Sequence, residues 1–292
     1  MAAACLAAAP VTAQETQDPV FSSDTKLVVL HTTVVDREDR VVSSLTKSDI
    51  KVFEDEQLQQ VKLFVKEDVP VSVGILVDNS GSMRDKRLKV NAAAVEFVKA
   101  SNPDDEVFIV NFNDEAYLDA PFTNEIPRMQ DALQRIDSRG GTAFFDAIQM
   151  SLDHVKEKGK HDKRVLLVIT DGEDNSSNTE LELLVRELQQ EENNVAIYAI
   201  GLLTEEEKGS AKRASRAIRY VSRATGGPSY FPTTVDEVSA LTQQIAHDIR
   251  NQYTLTYSPA GDKPPGFRRI KIELTGKNKR HKVRARPGYY AK

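Results

Sequence analysis

Five oxygen-bearing side chains stand at the ends of predicted elements in three separated stretches. Asp78, Ser80 and Ser82 come at alternate positions in DNSGS, Thr142 follows two glycines in GGT, and Asp171 opens TDGEDN after Thr170. Together they offer two carboxylates and three hydroxyls without His or Cys. Such an all-oxygen set suits a hard cation, Mg2+ first and Mn2+ or Ca2+ next. A sharp turn through Gly81 lets both serines face one point, and Gly140 and Gly141 let the backbone come close beside Thr142. Taken singly, Asp78 or Thr142 reads as an ordinary cap or turn residue. Their joint placement at element ends favours a shared site. Asn79, Asn113, Asp146, Asp174 and Asn175 are expected to support the loops by hydrogen bonding. Asp85, Lys86 and Arg87 are expected to form a wet helix face.

The elements that must position these groups alternate in type over residues 69–250. Short, nearly continuous apolar runs at 71–77, 107–112, 165–170 and 195–201, with a weaker one near 229–231, read as strands of a parallel sheet covered on both faces. Between them, apolar residues spaced by three and four predict helices: Leu88, Ala92, Val95 and Val98 in the first, Phe145, Ile148, Leu152 and Val155 in the next. Sets around Leu181–Leu188, Ala214–Val221 and Val238–Ile249 continue the pattern. This alternation predicts an α/β fold, a doubly wound and mostly parallel sheet with helices on both faces. In such a sheet ligands bind beyond the carboxyl ends of strands, where strand order reverses. All three polar stretches fall on that rim.

Residues 26–68 and 251–292 lack helical periodicity and read as β segments. Neither is long enough to make a good core alone. They are expected to pair as a small β-sandwich beside the α/β domain, with two independent flanking pieces as the alternative. Residues 1–13 resemble the end of a secretory signal peptide, with Val11-Thr12-Ala13 as a small-x-small cleavage form, and 14–25 read as a polar spacer. The expected location is outside the cytoplasm: periplasm, cell envelope or extracellular space. The single cysteine, Cys5, lies within that leader, so disulfides, thiolate metal sites and thiol catalysis are excluded. No later stretch approaches the ~20 apolar residues of a membrane span.

The net charge of −5 is modest, but residues 262–292 hold eleven Lys/Arg against two acids. Because Lys282, Arg284 and Arg286 alternate with Val283 and Ala285, the preferred reading is the wet face of a strand, with contact to an anionic surface as the alternative. DNSGSM carries neither a dinucleotide fingerprint nor a phosphate-loop lysine, and no Gly-x-Ser-x-Gly nucleophile elbow surrounds the serines. No basic helix with interleaved aromatics points to nucleic acid. A hydrolytic metal site needs a positioned base. His154 lies twelve residues beyond Thr142, about 18 Å along a helix. His161 belongs at the opposite end of the sheet, and His31, His247 and His281 lie outside the site segments. Glu173 or Asp174 is left as the only base available to a hydrolase, and no catalytic residue is assigned.

DNSGS, GGT and TDGEDN, in this order around these strands, resemble the metal-ion-dependent adhesion site of the von Willebrand factor A family over about residues 69–250. With the flanking β segments, the arrangement resembles bacterial exported proteins carrying VWFA-related domains. The resemblance implies a Rossmann-like sheet order with Asp78 and Asp171 facing across the crevice. It implies direct cation contacts from Ser80 and Ser82, and contacts from Asp78, Thr142 and Asp171 either direct or through water. An Asp or Glu of a protein partner would complete the coordination. The function expected is metal-dependent protein binding, adhesive or scaffolding. The alternatives are a scaffold whose metal is only structural, or a metal-dependent hydrolase.

Overall fold

The computed structural model describes residues 27–66, 68–134, 138–203, 208–260 and 264–292. The proposed leader and spacer, with Cys5, lie outside the described residues. The central sheet has six strands: β5 (Ser72–Asp78), β6 (Glu106–Phe112), β7 (Ala116–Thr123), β8 (Arg164–Thr170), β9 (Val195–Gly201) and β10 (Ser229–Tyr230). Their order is β10-β9-β8-β5-β6-β7, with every pairing parallel except β6 with β7. The chain runs outward from β5 to β7, then returns to the other side of β5. The reversal therefore falls between β5 and β8, whose carboxyl ends carry Asp78 and Asp171.

Alternation along β5 assigns its side chains to two cores. Val73, Ile75 and Val77 pack toward α1 (Arg87–Ala100), α2 (Ile126–Gln134) and α6 (Val238–Arg250). Leu76 packs toward α3 (Phe144–Lys158), α4 (Leu181–Leu188) and α5 (Lys208–Thr225). All seven residues of β5 are buried, as a strand covered on both faces requires. Gly74 has a packing reason: a Cβ there would lie 2.3 Å from the Phe108 ring. Asp78 is itself the last residue of β5, paired with Phe112, so the carboxylate belongs to the strand end rather than to the loop after it.

The terminal segments fold together into a sandwich of two four-stranded sheets. One contains β1 (Val28–Val35), β4 (Val61–Val65), β11 (Tyr253–Tyr257) and β13 (Lys282–Arg284), in the order β13-β1-β11-β4. The other contains β2 (Ile50–Glu54), β3 (Gln57–Gln59), β12 (Gly266–Leu274) and β14 (Gly288–Ala291), in the order β14-β12-β2-β3. Each sheet mixes strands from both ends of the chain, so neither end could complete its hydrogen-bond ladder alone. Leu30, Val34, Val52, Tyr253, Leu255 and Ile270 form the core between them. Within that core Glu54, fully buried, accepts hydrogen bonds from Tyr257 Oη at 2.7 Å and Tyr289 Oη at 3.0 Å, and Arg268 lies 3.4 Å away. The sandwich is tied to the α/β domain by Gln252, whose amide donates to Thr33 and Tyr198 hydroxyls, both at 3.1 Å. The backbones of Gln189 and Glu191 add hydrogen bonds to Tyr290.

Candidate metal centre

Three loops meet above the β5/β8 reversal, and the backbone holds them together. After β5 the chain makes a single 3-10 turn over Gly81–Met83, anchored by the fully buried Met83 side chain. Gly81 N–H donates to Gly140 C=O at 3.2 Å, and Arg139 N–H donates to Asn79 C=O at 3.0 Å, binding the first loop to the second. Gly140 has φ +71, a left-handed conformation that favours glycine. Asp114 accepts the Gly141 N–H at 2.6 Å and braces that turn.

Three of the five predicted donors, Ser80, Ser82 and Asp171, are in direct contact, while Asp78 accepts the Ser80 N–H and Thr142 stands beside Gly172. Ser80 Oγ and Ser82 Oγ are 3.1 Å apart, and the Ser82 hydroxyl donates to Asp171 Oδ1 at 2.7 Å. Asp78 is fully buried; its Oδ1 accepts the Ser80 N–H at 2.8 Å and its Oδ2 the Thr170 hydroxyl at 2.5 Å. Burial pushes the Asp78 carboxyl up to about 6, against the hydrogen bonds from Thr170 and Ser80 that favour its charged form. Thr142, 3% exposed, lies against the loop after β8: a Cβ at Gly172 would sit 2.9 Å from its Oγ1. Its hydroxyl finds no hydrogen-bond partner among the described residues.

The supporting residues act through different atoms. Asn175 Oδ1 accepts the Thr142 N–H at 2.9 Å, and its own N–H donates to Thr142 C=O. Asp174 Oδ2 accepts the Phe145 N–H at 2.9 Å, occupying a free donor of the first turn of α3 from a neighbouring loop. Asp146 accepts the N–H groups of Asn178 and Thr179, each at 2.9 Å. Burial works to raise the Asp146 carboxyl, but these hydrogen bonds outweigh it and hold the group below the usual range. Asn113 contributes its backbone carbonyl, which accepts the Ala143 N–H at 2.6 Å. Asn79 reaches away from the loops, donating to Asn111 Oδ1 at 2.8 Å.

Two expectations are corrected. Arg284 and Arg286 do not stand on a wet strand face: the Arg284 side chain is 10% exposed and pairs with Asp39, and Arg286 is buried. Lys86 does not lie on a wet helix face: its ammonium pairs with Asp171 Oδ2 and approaches Leu202 C=O at 3.5 Å, with the lysine side chain 21% and the aspartate 1% exposed. Arg87 also turns inward, donating to Leu133 C=O at 3.2 Å, which leaves Asp85 alone in solvent. Lys86 sits just before α1, and the turn through Met83 swings it back over the rim. A helical-face reading starts the helix too early and so misses it.

The donor set fits a small hard cation. Ligand oxygens neighbouring one another around Mg2+ at about 2.1 Å are about 3 Å apart, and the contacts linking Ser80, Ser82 and Asp171 are 3.1 and 2.7 Å. Among the described residues no group of three or more His, Cys, Asp and Glu side chains is placed to hold a metal, so the site depends on its hydroxyls. The two carboxylates offered as hydrolytic bases are both engaged. Glu173 is paired with Arg213, which holds its carboxyl below the usual range, and accepts the Ser210 hydroxyl at 3.0 Å. Asp174 is committed to Phe145 and Ser177. His154 packs between Phe108 and Phe122, with ring centroids at 4.8 and 5.0 Å. His161 lies at the opposite end of β5, its N–H on the Ser72 hydroxyl.

Residues 73–173 match the family model of the von Willebrand factor type A domain. No curated protein matches the chain significantly. Among solved structures, a von Willebrand factor type A protein from Catenulispora acidiphila is similar at a TM-score of 0.55 and 10% identity, covering 92% of this chain and 74% of that one. Proximal thread matrix protein 1 of the mussel byssus is similar at 0.51 and 14% identity, covering 66% of this chain and 49% of its own. The conserved hypothetical protein BatB from Bacteroides thetaiotaomicron is similar at 0.49 and 18% identity, covering 61% and 98%. The central domain has the von Willebrand factor type A fold.

Proposed function

We propose that the chain is an exported, metal-dependent protein-binding module, adhesive or scaffolding, and not an enzyme. Asp78, Ser80, Ser82, Thr142 and Asp171 would hold a divalent cation, Mg2+ first and Mn2+ or Ca2+ next. A carboxylate of a protein partner would complete its coordination. What supports this reading is the contact of Ser80, Ser82 and Asp171 beside the β5/β8 reversal, with Asp78 and Thr142 on the adjoining segments, while neighbouring carboxylates suited to base catalysis are tied to other groups. Held by Asp78 and Asp171 through water rather than directly, a divalent cation would keep enough positive charge to attract an anion from outside. The signal-like residues 1–13 support export. Among the described residues no helix is long and apolar enough to cross a membrane.

The chemistry divides simply. A bound cation would supply a site of positive charge, and Asp78, Ser80, Ser82, Thr142 and Asp171 would hold it. Calorimetric titration with Mn2+ and Mg2+ is the test. Asp78→Ala and Thr142→Ala are each expected to abolish binding, and unchanged affinity in both folded variants would refute the site.

A further inference from the structure

Two sheet edges open onto one basic cleft on the side of the molecule where the sandwich meets α5. β10 ends the central sheet, and β13 ends one sheet of the sandwich. Residues of both strands line the same cleft of about 770 Å3. Arg284 of β13 reaches to 3.3 Å from the Tyr230 hydroxyl of β10, so the two edges stand close together.

The charge around this cleft has one predominant sign. Arg219 and Arg223 come from α5, Lys271 and Lys282 from the sandwich, and the acid among the lining residues is Asp39. Asp39 is already paired with Arg284 at 2.8 Å. Lys271 is held by an exposed pair with Glu273, a contact worth little in water. Arg219 stacks over the Phe231 ring at 4.2 Å. Arg223 and Lys282 have no ion-pair partner among the described residues. The positive track continues along α5, where Lys212, Arg216, Arg219 and Arg223 recur on the exposed face, about 16 Å from first to last. Crowding cations this way on a chain of net charge −5 raises their mutual repulsion locally, which an anionic partner relieves.

An open strand edge recognises extended backbone through main-chain hydrogen bonds, leaving alternate side chains to be read by their surroundings. A flat anionic membrane suits cations on a protruding face, and these line a concavity. Single-stranded nucleic acid needs bare aromatic platforms, and Phe231 is covered by Arg219. We propose that this cleft binds an extended acidic segment of a partner polypeptide, added as a strand to the edge of β13 with its carboxylates against Arg219, Arg223, Lys271 and Lys282. None of the residues lining the cleft is one of the five predicted metal donors, so the proposal does not depend on them.

The test titrates a labelled short peptide of alternating Glu and Thr against the full chain by fluorescence anisotropy, in EDTA and in Mg2+. Saturable binding is expected in both buffers and in Asp78→Ala, whatever the outcome at the metal centre. The Arg223→Glu/Lys282→Glu double variant and high salt should each weaken it at least about tenfold, and N-methylation of alternate peptide amides should remove it. Several results would overturn the proposal: no saturation up to about 1 mM peptide, equal binding by the folded double variant, or equal binding of the N-methylated peptide. Binding to phosphatidylserine vesicles in place of the peptide, lost in the same variant, would assign the cleft to a membrane and overturn it too.

Discussion

Replacing Lys86 by methionine removes the ammonium from Asp171 while keeping an unbranched stem, and the effect on stability should change sign with the metal. In the metal-free protein Lys86 neutralises a carboxylate that is 1% exposed. A divalent ion and a unit charge about 5 Å apart repel by roughly 6–7 kcal/mol at an effective dielectric near 20. Lys86 is partly exposed on a flexible stem, so it can swing into water before meeting that repulsion in full. The penalty on the ion then reduces to breaking the Lys86–Asp171 contact, about 1.5–3 kcal/mol for a hydrogen bond between charged groups. That is roughly a 10- to 100-fold loss of affinity. Lys86→Met is therefore expected to bind Mn2+ or Mg2+ about 10- to 100-fold more tightly by calorimetry. In EDTA it should melt at a lower temperature, because Asp171 is left buried without its partner. Lys86→Arg, which keeps the charge, should stay near the unmodified protein in both measurements. Equal or weaker metal affinity in a folded Lys86→Met protein would show that the ammonium does not compete for Asp171.

Gly140→Ala places a Cβ 1.9 Å from Asp114 Oδ2 at a residue with φ +71. The left-handed backbone alone costs about 1–2 kcal/mol, so a loss of at least that size in urea unfolding is expected, with weaker metal binding through the displaced Thr142 segment. His31 gives the clearest pH signature: burial, then the nearby Lys163 and Arg286, lower its imidazole to about 3. The folded state refuses a proton that the unfolded chain accepts below about 6.5, so stability is intact above that pH and falls as acid is added. The loss reaches about 2 kcal/mol by pH 5, and melts of His31→Leu across pH 5–8 should lack that component.

The rim positions of Asp78 and Asp171 were legible because both fall at element ends, where the sequence pattern changes abruptly. Asp78 ends an apolar run and Asp171 follows another, so strand periodicity alone brings them to one rim. The sandwich was legible more indirectly, from two terminal segments each too short for a core. What escaped notice depends on tertiary context. β7 carries Pro121 and buries only Ala120, and it survives as an antiparallel edge beside β6 rather than by its own apolar content. α2 is only nine residues long and carries Pro127 in its first turn, which reads as a loop rather than a helix. Lys86 and Asp114 could not be assigned by spacing, because their roles depend on how far the loops fold back. The Glu54 cluster brings Tyr257, Tyr289 and Arg268 to one carboxylate across more than 200 residues of sequence, and no local pattern announces such a meeting.

The hydrogen bonding of the rim bears on whether a cation there would serve the fold or the partner. Asp78 is satisfied by Ser80 and Thr170, and Asp171 by Ser82 and Lys86. Asp174, Asp146 and Asn175 close the second and third loops onto backbone N–H groups. A structural metal normally supplies the interactions its loops lack, so that removing it leaves buried acids unpaired. Here an internal ammonium already compensates one acid, and hydrogen bonds from Ser80 and Thr170 satisfy the other. Metal removal by EDTA is accordingly expected to leave a folded protein whose melting temperature drops only by the mass-action increment of a bound ligand. Unfolding in EDTA, followed by thermal unfolding and far-UV circular dichroism, would instead make the cation a structural part. In that case an outward-facing charge offered to a partner would no longer explain why Ser80, Ser82 and Asp171 meet beside this strand reversal.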